Sequence, residues 1–174
     1  DDIIIKTSVE LDDLTIATLH KKYDGKSDIN EFEKFDLDHD ESNGTQKIFY
    51  LSGPILDTLN NGKILIIDEF DARLHPLLSR GIIKLFNSKL INNKNAQLIV
   101  ITHDTNLLSN KLFRRDQIWF TEKDSYGATD LYSLVEFKTS KNQGKVRNDA
   151  SFEKDYILGK YGAIPYIRDF NGIF

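Results

Sequence analysis

The stretch KILIIDEFDARLHP, residues 63 to 76, places four consecutive apolar residues, Ile64 to Ile67, directly before two adjacent acids, Asp68 and Glu69. An unbroken apolar run of this length predicts a strand covered on both faces in a parallel sheet. Adjacent carboxylates repel, and the strand itself has no need of them. Chemistry at the carboxyl end of a parallel strand, where open α/β sheets hold their ligands, does have such a need. Pro76 then suits the first turn of a helix, and Leu78, Ile82, Leu85, Phe86 and Leu90 give that helix an apolar stripe. QLIVIT, residues 97 to 102, follows as a second buried strand. Strand, helix, strand is a βαβ unit with a right-handed crossover as its default, so the class is α/β with a mainly parallel core sheet.

Upstream, Ile3 and Ile5, then Leu14, Ile16 and Thr18, alternate with polar residues as strands do, and YDGKSD, residues 23 to 28, forms a turn into EFEKFDLDHD. A β-hairpin is expected there. From Ser42 the period lengthens: Ile48, Leu51, Ile55 and Leu59 trace one helix face, with Ser42 as N-cap, Pro54 as a kink, and Asn60, Asn61 and Gly62 as the end. Downstream come strands near Gln117 to Thr121 and Leu131 to Phe137, a polar loop SKNQGKVRND, and a short helix from about Phe152 to Leu158 closed by Gly159. The whole reads as one domain over residues 1–174.

Composition narrows the function classes. The net charge of −4 gives no overall basic field toward nucleic acid, so any DNA contact has to be local. No apolar stretch approaches the roughly 20 residues that span a bilayer, and no signal pattern opens the chain, which points to the cytoplasm. Zero Cys excludes a disulfide framework and thiolate metal sites. Zero Met, with Asp1 running straight into an apolar triplet, suggests part of a longer polypeptide.

Three elements carry candidate chemistry. Asp68 suits a magnesium ion, which takes few protein carboxylates and keeps much of its water. Glu69, one residue on, suits the positioning or deprotonation of a water molecule. The second buried strand ends in Thr102, His103 and Asp104, and His103 suits a hydrogen bond to a terminal phosphate. ESNGTQK, residues 41 to 47, offers a hydroxyl, a glycine and a helix N-terminus to an anion through Ser42, Asn43 and Gly44. Taken singly, each has a commoner explanation: a solvated acidic turn, a surface histidine, a capping serine. The patches Phe113-Arg114-Arg115 and Lys141 to Arg147 are more often solvated surface than nucleic-acid sites, and Trp119 is expected in the core.

In order and spacing, with 26 residues from Ser42 to Asp68 and 35 from Asp68 to His103, the three elements resemble the ATP-binding-cassette ATPases of the SMC, RecF and OLD-like branch. Ser42 to Gly44 resembles the signature motif, with Glu41 where that family usually has Leu. Ile64 to Glu69 resembles the Walker B strand, Phe70 to Pro76 the D-loop with its His-Pro pair, and Ile101 to Asp104 the switch-histidine strand. The tail FEKDYILGKYGAIPYI resembles that of bacterial abortive-infection ATPases.

The resemblance implies a C-terminal ATPase lobe with ATP and Mg2+ as cofactors. Asp68 would hold the metal, Glu69 the water and His103 the terminal phosphate. Ser42, Asn43, Gly44 and Asp71 would bind ATP, with Ser42 and Gly44 acting on ATP held by a second subunit in an ATP-dependent homodimer. No Walker A loop is present. HKKYDGKS, residues 20 to 27, has Gly-Lys-Ser, but Asp24 would oppose phosphate and the chain leaves it as a strand, so the hairpin reading is preferred. The phosphate loop is expected upstream of Asp1. The rival class is a non-catalytic ATPase-derived module that recruits an effector protein or senses DNA.

Overall fold

A computed structural model describes residues 4–7, 15–23, 29–137, 146 and 151–164. They gather into two compact units, residues 1–102 and 103–174, and each is described by itself.

The first unit opens with an antiparallel sheet of β1 (Ile4–Thr7), β2 (Ile16–Tyr23) and β3 (Ile29–Asp36), in that spatial order. The expected hairpin is β2–β3, paired from Ala17↔Asp36 to Tyr23↔Ile29 with a register shift between Lys22 and Tyr23, and β1 adds a third strand beside β2. His20 to Tyr23 therefore belong to a strand, while residues 24–28 of the rejected phosphate loop lie outside the described residues.

Helix α1 (Asn43–Asn61) starts where the Ser42 hydroxyl accepts the Thr45 N–H at 3.2 Å, satisfying one orphan donor of the first turn. It ends at Gly62, whose φ of 64° lets its N–H turn back to the Thr58 carbonyl. Pro54 does not interrupt it: the proline is exposed, and the helix continues for two turns beyond. Ile55, Thr58 and Leu59 form its buried stripe, and α1 packs on β4 (Ile64–Ile67).

β4 pairs in parallel with β5 (Gln97–Val100), joined by α2 (Pro76–Asn87). His75 caps α2, its Nδ1 accepting the Leu77 N–H at 3.2 Å, and Pro76 stands in the first turn as expected. Ile82, Ile83 and Phe86 are buried there. Leu90, expected on the same stripe, is 89% exposed, because α2 stops at Asn87 and a helical periodicity no longer orients residues beyond it. Leu78 is exposed as well; Ser79, one residue on, occupies the inward position.

Two further expectations are corrected. The sheet is not mainly parallel among the described residues: β4–β5 is the one parallel pair, and the other ladders are antiparallel. Nor is β4 covered on both faces. Side chains alternate along a strand, and the register puts Leu65 and Ile67 with Leu98 and Val100 on one side. The opposite side shows Ile64 (60% exposed), Ile66 (63%), Ile99 (48%) and Ile101 (49%).

In the second unit, short 3-10 turns at Thr105–Leu107 and Arg115–Gln117 precede β6 (Trp119–Lys123) and β7 (Thr129–Ser133), an antiparallel pair, followed by α3 (Phe152–Ile157). Asp124 ties the hairpin turn by accepting the N–H groups of Tyr126 and Ala128 at 2.9 and 2.8 Å. Its core joins Ile118, Phe120, Leu134, Val146, Phe152 and Tyr161. Trp119 is exposed, against expectation, since Ile118 and Phe120 take the two inward positions and period 2 sends the residue between them outward. Of the basic patches, Arg114 pairs with Asp116 at 2.9 Å and Arg115 donates to the Val146 carbonyl; Lys141 to Lys145 and Arg147 lie outside the described residues. No helix among the described residues is long and apolar enough to cross a membrane.

Candidate functional site

Beyond β4 the chain turns sharply, and this turn carries three of the candidate residues. Phe70 donates its N–H to the Ile101 carbonyl at 3.0 Å and buries its ring completely, which anchors the turn to the segment leaving β5. On either side of that anchor Glu69 has φ 46° and Arg73 φ 62°. Asp68 and Glu69 are both exposed, and Asp68 Oδ1 accepts the Glu69 N–H at 2.9 Å. Asp71 faces the other way: its Oδ1 accepts the Thr102 hydroxyl at 2.5 Å, linking the turn to the end of the β5 segment. Ala72 and Leu74 donate to the carbonyls of Glu69 and Asp71, both at 3.1 Å, closing the turn on itself.

Ser42, Asn43 and Gly44 occupy the start of α1, with no acidic side chain in its first turn. The Ser42 Oγ lies 2.9 Å from Thr45 Oγ1 as well as capping its N–H. Gly44 passes close to the acidic turn: a β-carbon there would stand 3.1 Å from the Arg73 carbonyl. One turn further along α1, Lys47 Nζ donates to the carbonyls of Glu69 and Ala72, each at 2.8 Å. The first turns of α1 thus meet the acidic turn in the first unit, through Gly44 beside Arg73 and Lys47 on Glu69 and Ala72. His103 is exposed and begins the second unit, next to Asp104, whose carboxylate accepts the Asn106 N–H at 3.0 Å.

Glu41, the residue that departs from the signature pattern, is half-buried and engaged. Its Oε1 accepts the Thr18 hydroxyl and lies 2.6 Å from His20 Nε2. The Thr18 hydroxyl foremost, then His20, holds the Glu41 carboxyl below the ordinary glutamate range. Glu41 and His20 are therefore partners across the β2–α1 junction. Neither this pair nor the Lys47 contact has a local signal in the sequence, since each joins residues more than 20 positions apart.

Among the described residues no group of three or more His, Cys, Asp or Glu side chains could hold a metal. The site fits an ion that needs one carboxylate and its own water, as magnesium does, and not a protein-caged metal. Asp68 meets that requirement, with one oxygen on the Glu69 N–H and the carboxylate exposed to solvent.

A comparison with protein-family models matches residues 10–109 to a family described as "AAA domain, putative AbiEii toxin, Type IV TA system". A search of curated proteins finds none that matches. The matched span holds more than half of the chain, including the α1 start, the acidic turn, both parallel strands and His103, and the chain belongs to this AAA-domain family of P-loop NTPases.

Proposed function

We propose that this chain is the C-terminal lobe of an ABC-type ATPase head of the SMC, RecF and OLD-like branch, hydrolysing ATP with magnesium in bacterial phage defence or DNA maintenance. The observation that carries the reading is the joining of the α1 start, Ser42 to Gly44, to the turn bearing Asp68 and Glu69. Gly44, in the first turn of α1, lies against the Arg73 carbonyl of the acidic turn, and Lys47 donates to its Glu69 carbonyl.

In this reading Asp68 would hold the ion. Glu69, exposed and one residue on, orients a water molecule and takes its proton at the carboxylate. Bound magnesium supplies neutralisation of phosphate charge, which with positioning is most of what phosphoryl transfer needs. Ser42 and the backbone N–H groups near Asn43 and Gly44 present donors and a positive helix end to ATP on a second subunit. Asp71 keeps the turn on Thr102 and takes its place at the nucleotide from the family resemblance. His103 takes its role at the terminal phosphate from the sequence match.

A Walker A lobe completes the head and covers the open face of the β4–β5 pair. The exposed isoleucines Ile64, Ile66, Ile99 and Ile101 support that, being an apolar face with no described element over it. The protein works in the cytoplasm as an ATP-dependent homodimer, passing its state to an effector.

The test is Glu69→Gln in the full-length protein. It should keep ATP binding and lower turnover at least about 100-fold. Hydrolysis at the wild-type rate would remove Glu69 from the mechanism, and a wild-type protein without turnover would favour the non-catalytic module.

A further inference from the structure

The turn that carries Glu69 holds a backbone shape it would not choose unaided. Glu69 at φ 46° and Arg73 at φ 62° both occupy the left-handed region, which costs a residue with a β-carbon about 1 kcal/mol or more. The Glu69 side chain is exposed, so packing does not aim its carboxylate; the backbone sets the Cα–Cβ direction from which it projects. What holds that backbone is therefore what aims the acid.

Two groups hold it. The Ala72 N–H donates to the Glu69 carbonyl at 3.1 Å, an ordinary turn bond. The second group comes from outside the turn: the Lys47 ammonium reaches both the Glu69 and the Ala72 carbonyl at 2.8 Å, bridging the two residues that this bond joins. Both distances are in the charge-assisted range, and such bonds are about twice as strong as neutral ones. A lysine that merely solubilised α1 would direct its ammonium to water. This one is partly buried and clamps a left-handed turn.

The geometry points to Lys47 as a positioning residue that acts through the Glu69 main chain to set the direction of the Glu69 carboxylate, and that ties this direction to the Ser42–Gly44 turn of the same helix. The inference rests on the catalytic reading of Glu69 given above, but its structural half is measurable without turnover.

The experiment compares Lys47→Met, which keeps the length and removes the donors, with Lys47→Arg, which keeps donors and charge. Hydrogen exchange at the Phe70, Ala72 and Leu74 amides should quicken about tenfold in Lys47→Met, the loss expected for a charge-assisted bond, and recover in Lys47→Arg. Unchanged exchange in Lys47→Met overturns the positioning role whether or not the protein hydrolyses ATP. In the full-length ATPase, Lys47→Met should lower kcat by up to about 100-fold with KM for ATP unchanged. In a Glu69→Gln background it should lower the residual rate no further, because it acts through the same group. A further fall there of similar size overturns the inference and leaves the catalytic reading standing. Full turnover in Glu69→Gln alone removes the catalytic reading, and with it the consequence for kcat, while the exchange result still decides what Lys47 does to the turn.

Discussion

Glu41→Gln changes a charge and almost no volume, which makes it a clean probe of the junction between the β2–β3 hairpin and α1. The Glu41 side chain is 9% exposed, and its Oε1 serves both the Thr18 hydroxyl and, at 2.6 Å, His20 Nε2. A hydrogen bond to an ionised acceptor contributes about 1.5–3 kcal/mol, against about 1 kcal/mol for a neutral one. The amide keeps one neutral acceptor, and the His20 side chain is 42% exposed, so water discounts its share. Glu41→Gln should therefore cost about 2 kcal/mol at pH 7. The pH dependence is the sharper test. The Thr18 hydroxyl and His20 hold the folded-state value below the usual 4.5, so folding favours the ionised form. A depressed carboxyl contributes in full above its unfolded value and loses that contribution as pH falls through the folded one. The gap between wild type and variant should stay level from neutrality down toward the usual 4.5 and narrow below it, as the wild-type acid takes up its proton. Urea unfolding at stepped pH, followed by circular dichroism, measures it. A gap below about 0.5 kcal/mol at pH 7, or one that persists undiminished under acid conditions, would refute the argument.

Gly62→Ala should destabilise the chain by about 2–4 kcal/mol: about 1 for a left-handed alanine and the rest from a β-carbon 2.6 Å from the Lys94 carbonyl. Gly62→Asn separates the two causes, since asparagine tolerates the φ of 64° but carries the same β-carbon, and a full recovery in Asn would show the clash to be harmless. On the parallel pair, Ile67→Ala should cost about 2–5 kcal/mol and Ile66→Ser less than about 1 in this chain. Equal costs in chemical denaturation would mean that the Ile66 face is covered.

Much of the molecule was legible in one dimension because its signals are local. Ser42 caps the helix it precedes, Gly62 ends it, and His75-Pro76 opens α2, each by backbone chemistry within a few residues. The βαβ unit was readable for the same reason, as was the strand at His20 to Tyr23, which the β2–β3 ladder contains.

What the tertiary structure decided is which side of each element is inside and what meets across distance. Four apolar residues in a row do not say whether one face or both are covered, and the exposure of Ile64 and Ile66 is a fact about neighbours. Trp119 lost the core to Ile118 and Phe120 because strand register, set by pairing with β7, assigns the inward positions. Adjacent acids at Asp68 and Glu69 could be named from sequence, but the left-handed turn that separates their directions, and the Lys47 ammonium clamped on it from 22 residues away, follow only from how α1 packs beside β4. Sequence periodicity encodes the faces of single elements; the contacts that aim a carboxylate arise between elements, where no period reaches.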